Sequence, residues 1–275
     1  VDLLIPAGSF ISLVGESGCG KSTIAGIISG KNRGYKGDIF IGNIPLSKIK
    51  EEELLSHITR VCHNSYLFKG TVEENLRMAK EDASAEEMIA VLKKVNLWNF
   101  LSAENGLRTQ ILEKGSNFSG GQCQRLELAR ALLHDTPIYI FDEATSNIDA
   151  ESEEMIMNVI KELTGTKTII LISHRLSNVV ESDCIYMLEN GQIAERGTHE
   201  VLMHNKNAYY RLYTAQQELE QYGKEKQAVE QKENNKKSSI EDNNENKKNN
   251  EENTIDRSSN IENEEGRKKT WKQVV

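Results

Sequence analysis

The chain has 275 residues, 37% hydrophobic and 28% charged, with a formal net charge of −8 and a pI near 5.4, which leaves room for one large or two modest domains. The acidic balance and lack of an extended basic face argue against a nucleic-acid partner; no apolar run approaches the roughly 20 residues that cross a bilayer, and the N-terminus has no secretory signal pattern. Four cysteines, Cys19, Cys62, Cys123 and Cys184, lack metal-ligand spacing and are expected to be reduced thiols.

In chain order, Val1 to Phe10 reads as the end of a β-ribbon feeding a core strand, which implies a preceding segment. The apolar run Ile11-Ser12-Leu13-Val14 predicts that strand, and Gly15-Glu16-Ser17-Gly18-Cys19-Gly20-Lys21-Ser22-Thr23 follows it, fitting G-x-x-x-x-G-K-[ST]. A helical pattern over Ser22 to Ile28 completes strand, loop and helix. Glycines let backbone N–H groups crowd around a polyphosphate, and the helix start adds roughly half a positive charge. Lys21 is then expected on the β and γ phosphates and Ser22 on Mg²⁺, with Thr23 only assisting.

The stretch from about Ser84 to His134 is rich in helix formers and without β-runs, and reads as a helical insertion with Trp98 in its core. Its last helix follows Ser119-Gly120-Gly121-Gln122 and places Leu126, Ala129 and Leu133 on one face, so its N-terminus is presented as a second phosphate-suited surface. Three further buried strands are predicted at Ile138 to Phe141, Thr168 to Ile172 and Cys184 to Leu188, the first two separated by a helix with Met155, Ile156, Val159, Ile160 and Leu163 on one face. Glu189-Asn190-Gly191-Gln192 reads as a tight hairpin turn. Repeated βα units predict an α/β, doubly wound, mainly parallel sheet with its ligand at the carboxyl ends of the strands. Asp142 and Glu143 stand at such an end, Asp142 suited to Mg²⁺ and Glu143 to polarising a water. From about Tyr222 the chain turns into Lys, Glu, Asn, Ser and Gln. Residues 222–275 are therefore expected to be a low-complexity disordered tail, because such a segment cannot bury enough surface to offset its ordering entropy. The locally basic Arg267 to Lys272 is a candidate contact for acidic lipid or a partner.

Three motifs together, Gly15 to Thr23, Phe118 to Arg125 and Phe141 to Asp149, resemble the nucleotide-binding domain of ATP-binding cassette (ABC) transporters. The resemblance covers about residues 1–221 and implies a P-loop NTPase core with a partial antiparallel β-subdomain and an inserted α-helical subdomain near 84–134. It implies ATP and Mg²⁺ as ligands, Gly15 to Thr23 around the phosphates, and Ser119, Gly120, Gly121 and Gln122 on the γ-phosphate held by a second such domain. It further implies Glu143 as catalytic base, His174 as the histidine that orients the water, Asp149 as the residue communicating across the dimer, and Ser22 and Asp142 on the metal. His63 stands where the family has a glutamine whose amide oxygen meets Mg²⁺, and imidazole is a poorer partner for that ion. Phe118 replaces the usual leucine.

Leu67 to Leu76, Glu113-Lys114-Gly115 and Glu195 to Glu200 look like the exporter branch. That branch implies a transmembrane domain, fused upstream or separate, a place at the cytoplasmic face of a membrane, and a homo- or heterodimer. A nucleotide-gated regulatory module with weak hydrolysis and a soluble ABC ATPase are the alternatives.

Overall fold

The computed structural model describes residues 1–63, 66–146 and 148–222. The chain divides into a unit spanning Val1–Gln216 and a second, Gln217–Val275, of which residues 217–222 are described and helical. The expected disorder of the tail falls outside the described residues beyond position 222, as does Asn147.

The chain opens without a strand: Pro6 lacks an N–H, and Ser9 N donates to Pro6 O (3.2 Å) across a turn with Gly8 at φ +75°. The expected β-ribbon over Val1 to Phe10 is thus not formed; Leu4 instead pairs through its backbone with the Tyr186 hydroxyl. Strand β1 (Phe10–Val14) leads into α1 (Lys21–Ile28), then the short pair β2 (Phe40–Ile41) and β3 (Ile44–Pro45), α2 (Glu51–His57) and β4 (Ile58–Cys62). Next come β5 (Gly70–Thr71), α3 (Val72–Arg77), α4 (Ala85–Lys94), α5 (Trp98–Ala103), β6 (Gln110–Ile111) and α6 (Gly120–His134). The series ends with β7 (Ile138–Asp142), α7 (Ala150–Leu163), β8 (Thr168–Ile172), β9 (Cys184–Glu189), β10 (Gln192–Gly197) and α8 (His199–Asn205). Residues 208–222 are helical.

The main sheet has the order β10-β9-β1-β8-β7-β4. All neighbours pair in parallel except β10, which returns beside β9 through the hairpin turn at Asn190 (φ 49°) and Gly191 (φ 76°). Both faces of the sheet are covered. Along β1, Phe10 and Val14 enter one hydrophobic cluster with α4 to α7, while Ile11 and Leu13 enter another with α1 and Leu54 of α2. Such two-sided burial is why these strands read as continuous apolar runs.

The helices start where local chemistry lets them. Thr71 with Glu74, Ser84 with Glu87 and Ser119 with Gln122 form capping boxes at α3, α4 and α6, each satisfying two otherwise orphan N–H groups. The helical layer also holds one piece of β-structure that its composition does not announce: β6 pairs with β5. At its far end α6 is fastened to the sheet edge, His134 Nδ1 lying 3.0 Å from Thr59 Oγ1 of β4.

Because β1, β8, β7 and β4 are adjacent and parallel, their carboxyl ends lie along one edge. Residues following each of them, Gly15 to Lys21, His174, Glu143 and His63, are therefore delivered to one side of the molecule.

Candidate nucleotide site

The glycine loop is built by positions that only glycine fills comfortably. Gly15 sits at φ +141°, and a Cβ there would lie 2.2 Å from Leu188 O. Gly18 (φ 82°) and Gly20 (φ 107°) need their freedom for the turn, with open space above both. Lys21, only 4% exposed, folds back so that Nζ donates to Gly15 O (2.8 Å) and Glu16 O (2.9 Å). Helix α1 begins at Gly20 with no side-chain cap and no acid in its first turn, so its first N–H groups are left to an anion.

Ser22 Oγ donates to Asp142 Oδ1 (2.9 Å). The other carboxylate oxygen, Oδ2, accepts from Arg60 Nη2 at 2.5 Å. Asp142 stands at the strand end as expected, but as a buried carboxylate neutralised from β4. Arg60 Nε, also buried, has no hydrogen-bond partner among the described residues. Glu143 turns away at φ +54°, its N–H held by Ile172 O (3.0 Å). Its Oε1 lies 2.8 Å from His174 Nε2, a hydrogen bond in which Nε2 donates when the carboxylate is ionised. On the other side His63 Nδ1 is 3.9 Å from Glu143 Oε2, ion-pair range if the imidazole is protonated and too long for a hydrogen bond. A cleft of about 410 Å³ is lined by Ser22, Lys31, Arg60, Cys62, His63, Asp142 and Glu143.

Ser119 to Gln122 belong to a different place. Ser119 Oγ accepts from Gln122 N (3.2 Å) and Gln122 Oε1 from Ser119 N (2.8 Å), and none of the four residues lines the cleft. They meet Asp149 instead. A Cβ on Gly121 would stand 2.3 Å from Ser152 Oγ and 3.0 Å from Asp149 Oδ2, so the start of α6 rests directly on the start of α7. Asp149 Oδ1 accepts from Ser152 N (2.8 Å), and that backbone N–H holds its carboxyl below the usual aspartate range. Gln124 Nε2 bonds Ser146 O (3.1 Å), tying α6 to the loop after Glu143.

A protein-family model described as ABC transporter matches residues 1–146. The chain is 48% identical over 208 residues to an uncharacterized ABC transporter ATP-binding protein of Haemophilus influenzae, covering 76% of this chain and 37% of that protein. It is 38% identical over 217 residues to the ATP-dependent lipid A-core flippase of Chromobacterium violaceum, covering 78% of this chain and 37% of that one.

The chain belongs to the ABC transporter family.

A solved bacterial Atm1-family ABC exporter with ATP bound superposes with a TM-score of 0.73 at 33% identity, over 77% of this chain and 37% of that one. The ABC chain thus spans about two fifths of the length of these relatives. Among the described residues no helix is long and apolar enough to cross a membrane.

The donor set suits the ligands expected of an ABC protein. Among the described residues no group of three or more His, Cys, Asp and Glu side chains is placed to hold a metal by itself. The Ser22 hydroxyl and Asp142 carboxylate are hard oxygen donors beside a phosphate-shaped loop, the arrangement in which Mg²⁺ is carried with its nucleotide. Two residues lining the cleft, Lys31 and Arg60, carry no signal in the sequence, and Cys62 stands out there only as a reduced thiol. Strand β4 has no strand signature in the sequence, because Arg60 interrupts the run Ile58-Thr59-Arg60-Val61-Cys62. Burial raises the Cys62 thiol, partly opposed by the Arg60 charge.

Proposed function

We propose that this chain is the ATP-hydrolysing domain of an exporter. One observation carries the reading: an uncapped helix start, a buried lysine, a Ser–Asp pair and a histidine-held glutamate converge from three adjacent parallel strand ends. Gly15, Glu16, Ser17, Gly18, Cys19, Gly20, Lys21, Ser22 and Thr23 cradle the ATP phosphates, Lys21 exchanging its loop carbonyls for phosphate oxygens. Ser22 and Asp142 hold Mg²⁺, which when bound supplies positive charge to the phosphate oxygens; His63 stands at the edge of that donor set. Glu143 accepts a proton from the attacking water, and His174 holds Glu143 in place.

Ser119, Gly120, Gly121 and Gln122, set apart from the cleft with Asp149, serve the nucleotide of a second nucleotide-binding domain, homologous or identical. Each chain then contributes half of two sites. The coupled transmembrane domain, fused or separate, places the assembly at the cytoplasmic face of a membrane. The test is ATPase activity of the chain and of Glu143→Gln: removal of a general base lowers the rate by about 10²-fold or more, and equal rates overturn the assignment.

A second reading, a nucleotide-gated module with slow hydrolysis, is favoured by Arg60 on Asp142 and by His63 in the glutamine's place. A wild-type rate no higher than that of Glu143→Gln, with ATP binding intact, would select it.

A further inference from the structure

The loop that carries His174 leaves β8 with backbone groups that no strand or helix satisfies. Residues 173–175 are neither strand nor helix, and a single-turn 3₁₀ segment starts only at Leu176. Three side chains hold this loop. Ser173 Oγ accepts from Arg175 N (3.0 Å). The Arg175 guanidinium is paired with the buried Glu153 carboxylate, which also accepts from Asn178 Nδ2 (2.8 Å). The third is Gln216: its Nε2 donates to His174 O (2.9 Å) and its Oε1 accepts from Leu176 N (2.8 Å).

A carboxamide can satisfy one acceptor and one donor at once only when both lie in its plane at fixed separation. Gln216 therefore fixes the peptide course from His174 to Leu176 as a unit. Its own placement is prepared from the core. On the helical residues 208–222, Tyr209 is fully buried, and Leu212 and Tyr213 pack against the core. Gln216 lies seven, four and three positions further along the same face. The position that would extend the apolar stripe instead carries an amide, and it is spent on the backbone of a residue whose imidazole grips Glu143.

We propose that Gln216 is a positioning residue for His174: by bracketing the loop backbone it aims the imidazole at Glu143, and thus governs the rate of the chemical step without touching nucleotide. The inference rests on the role proposed above for His174. Nothing in the local sequence signals the pairing, since 42 residues separate the two.

The test uses the full chain with Gln216→Leu, which keeps the apolar face and removes both bonds, and Gln216→Glu, which keeps the acceptor for Leu176 N and loses the bond to His174 O. The direct readout is the His174 imidazole resonance in a ¹⁵N-correlated NMR spectrum. In Gln216→Leu it is expected to move toward its position in Glu143→Gln, where the same contact is altered; an unchanged resonance overturns the proposal. In ATPase assays Gln216→Leu should lower kcat about tenfold, since small misplacements of reacting groups are costly, and leave KM within about twofold. Gln216→Glu should fall between Gln216→Leu and wild type, and His174→Ala/Gln216→Leu should be no slower than His174→Ala. A Gln216→Leu loss that persists undiminished in the His174→Ala background also overturns it. Full activity in His174→Ala would instead remove the proposed role of His174, while the NMR criterion still decides whether Gln216 aims the ring.

Discussion

At the scale of single residues, Asp142 is held between a hydroxyl and a guanidinium, and Glu143 between two imidazoles at unequal distances. Neighbouring carboxylates thus have opposite circumstances, one neutralised in the strand end and one turned outward by a left-handed backbone. Arg60→Met would leave Asp142, 6% exposed in its side chain, charged and half-partnered. Removal of one member of a buried pair costs about 3 kcal/mol or more, so melting in EDTA should drop accordingly and Mg²⁺ should recover part of it by binding the freed carboxylate; calorimetry with and without the cation checks both. His63→Gln restores an amide oxygen at the edge of the cleft and should shift the ATPase optimum to lower Mg²⁺, read from a Mg²⁺ titration of rate. An unchanged rate and Mg²⁺ dependence would refute weakened metal coupling at His63. The glycine loop, Ser22, Asp142 and Glu143 stand out in the sequence as motif residues at the ends of apolar runs, and His174 only through the family resemblance; the structure brings them to one side of the sheet. Arg60 does not stand out, because its partner is 82 residues away and a charge in a strand breaks the pattern by which strands are found.

Among the elements, the contact of α6 on α7 leaves no room for a side chain at Gly121. Gly121→Ala drives a methyl into Ser152 Oγ and Asp149 Oδ2. Overpacking of this kind costs about 1–3 kcal/mol, measurable by urea denaturation, and the displaced Ser119 and Asp149 should impair any assembly that depends on them together. Strand β7 offers a different test. Burial pushes the Tyr139 phenol up to about 12 from its ordinary value near 10. The folded chain therefore keeps its proton where the unfolded chain gives it up; the stability this confers is whole below pH about 10 and drains away toward pH 12, up to about 3 kcal/mol in all. Tyr139→Phe should flatten the alkaline limb of a melting-against-pH profile, at the cost of the hydroxyl's bond to Ala131 O. Strands β1, β7, β8 and β9 were legible as apolar runs, while β4, broken by Arg60, was not. The two-residue strands β5 and β6 were not, since pairs so short carry no periodicity and are fixed by the layers around them.

Over the whole molecule, the two phosphate-suited surfaces separate into a cleft set and a set with Asp149, as expected if neither is complete in one chain. ATP should therefore promote dimers most strongly when turnover is blocked: Glu143→Gln with ATP should double in mass by light scattering, and a persistent monomer would count against shared sites. If residues 223–275 are a solvated tail, a chain ending at residue 222 should melt within about 2 °C of the full chain, since a segment that buries nothing contributes little. From the Ser119 surface runs α6, 15 residues and so about 22 Å of unbroken helix. Its first turn faces outward at Ser119, and its last residue is pinned to Thr59, immediately before Arg60. No loop intervenes to absorb a push. The helix thus joins the residues at Ser119 to the strand that bears Arg60 and leads to His63, and in the proposed dimer a domain docked against Ser119 would press on that strand through it.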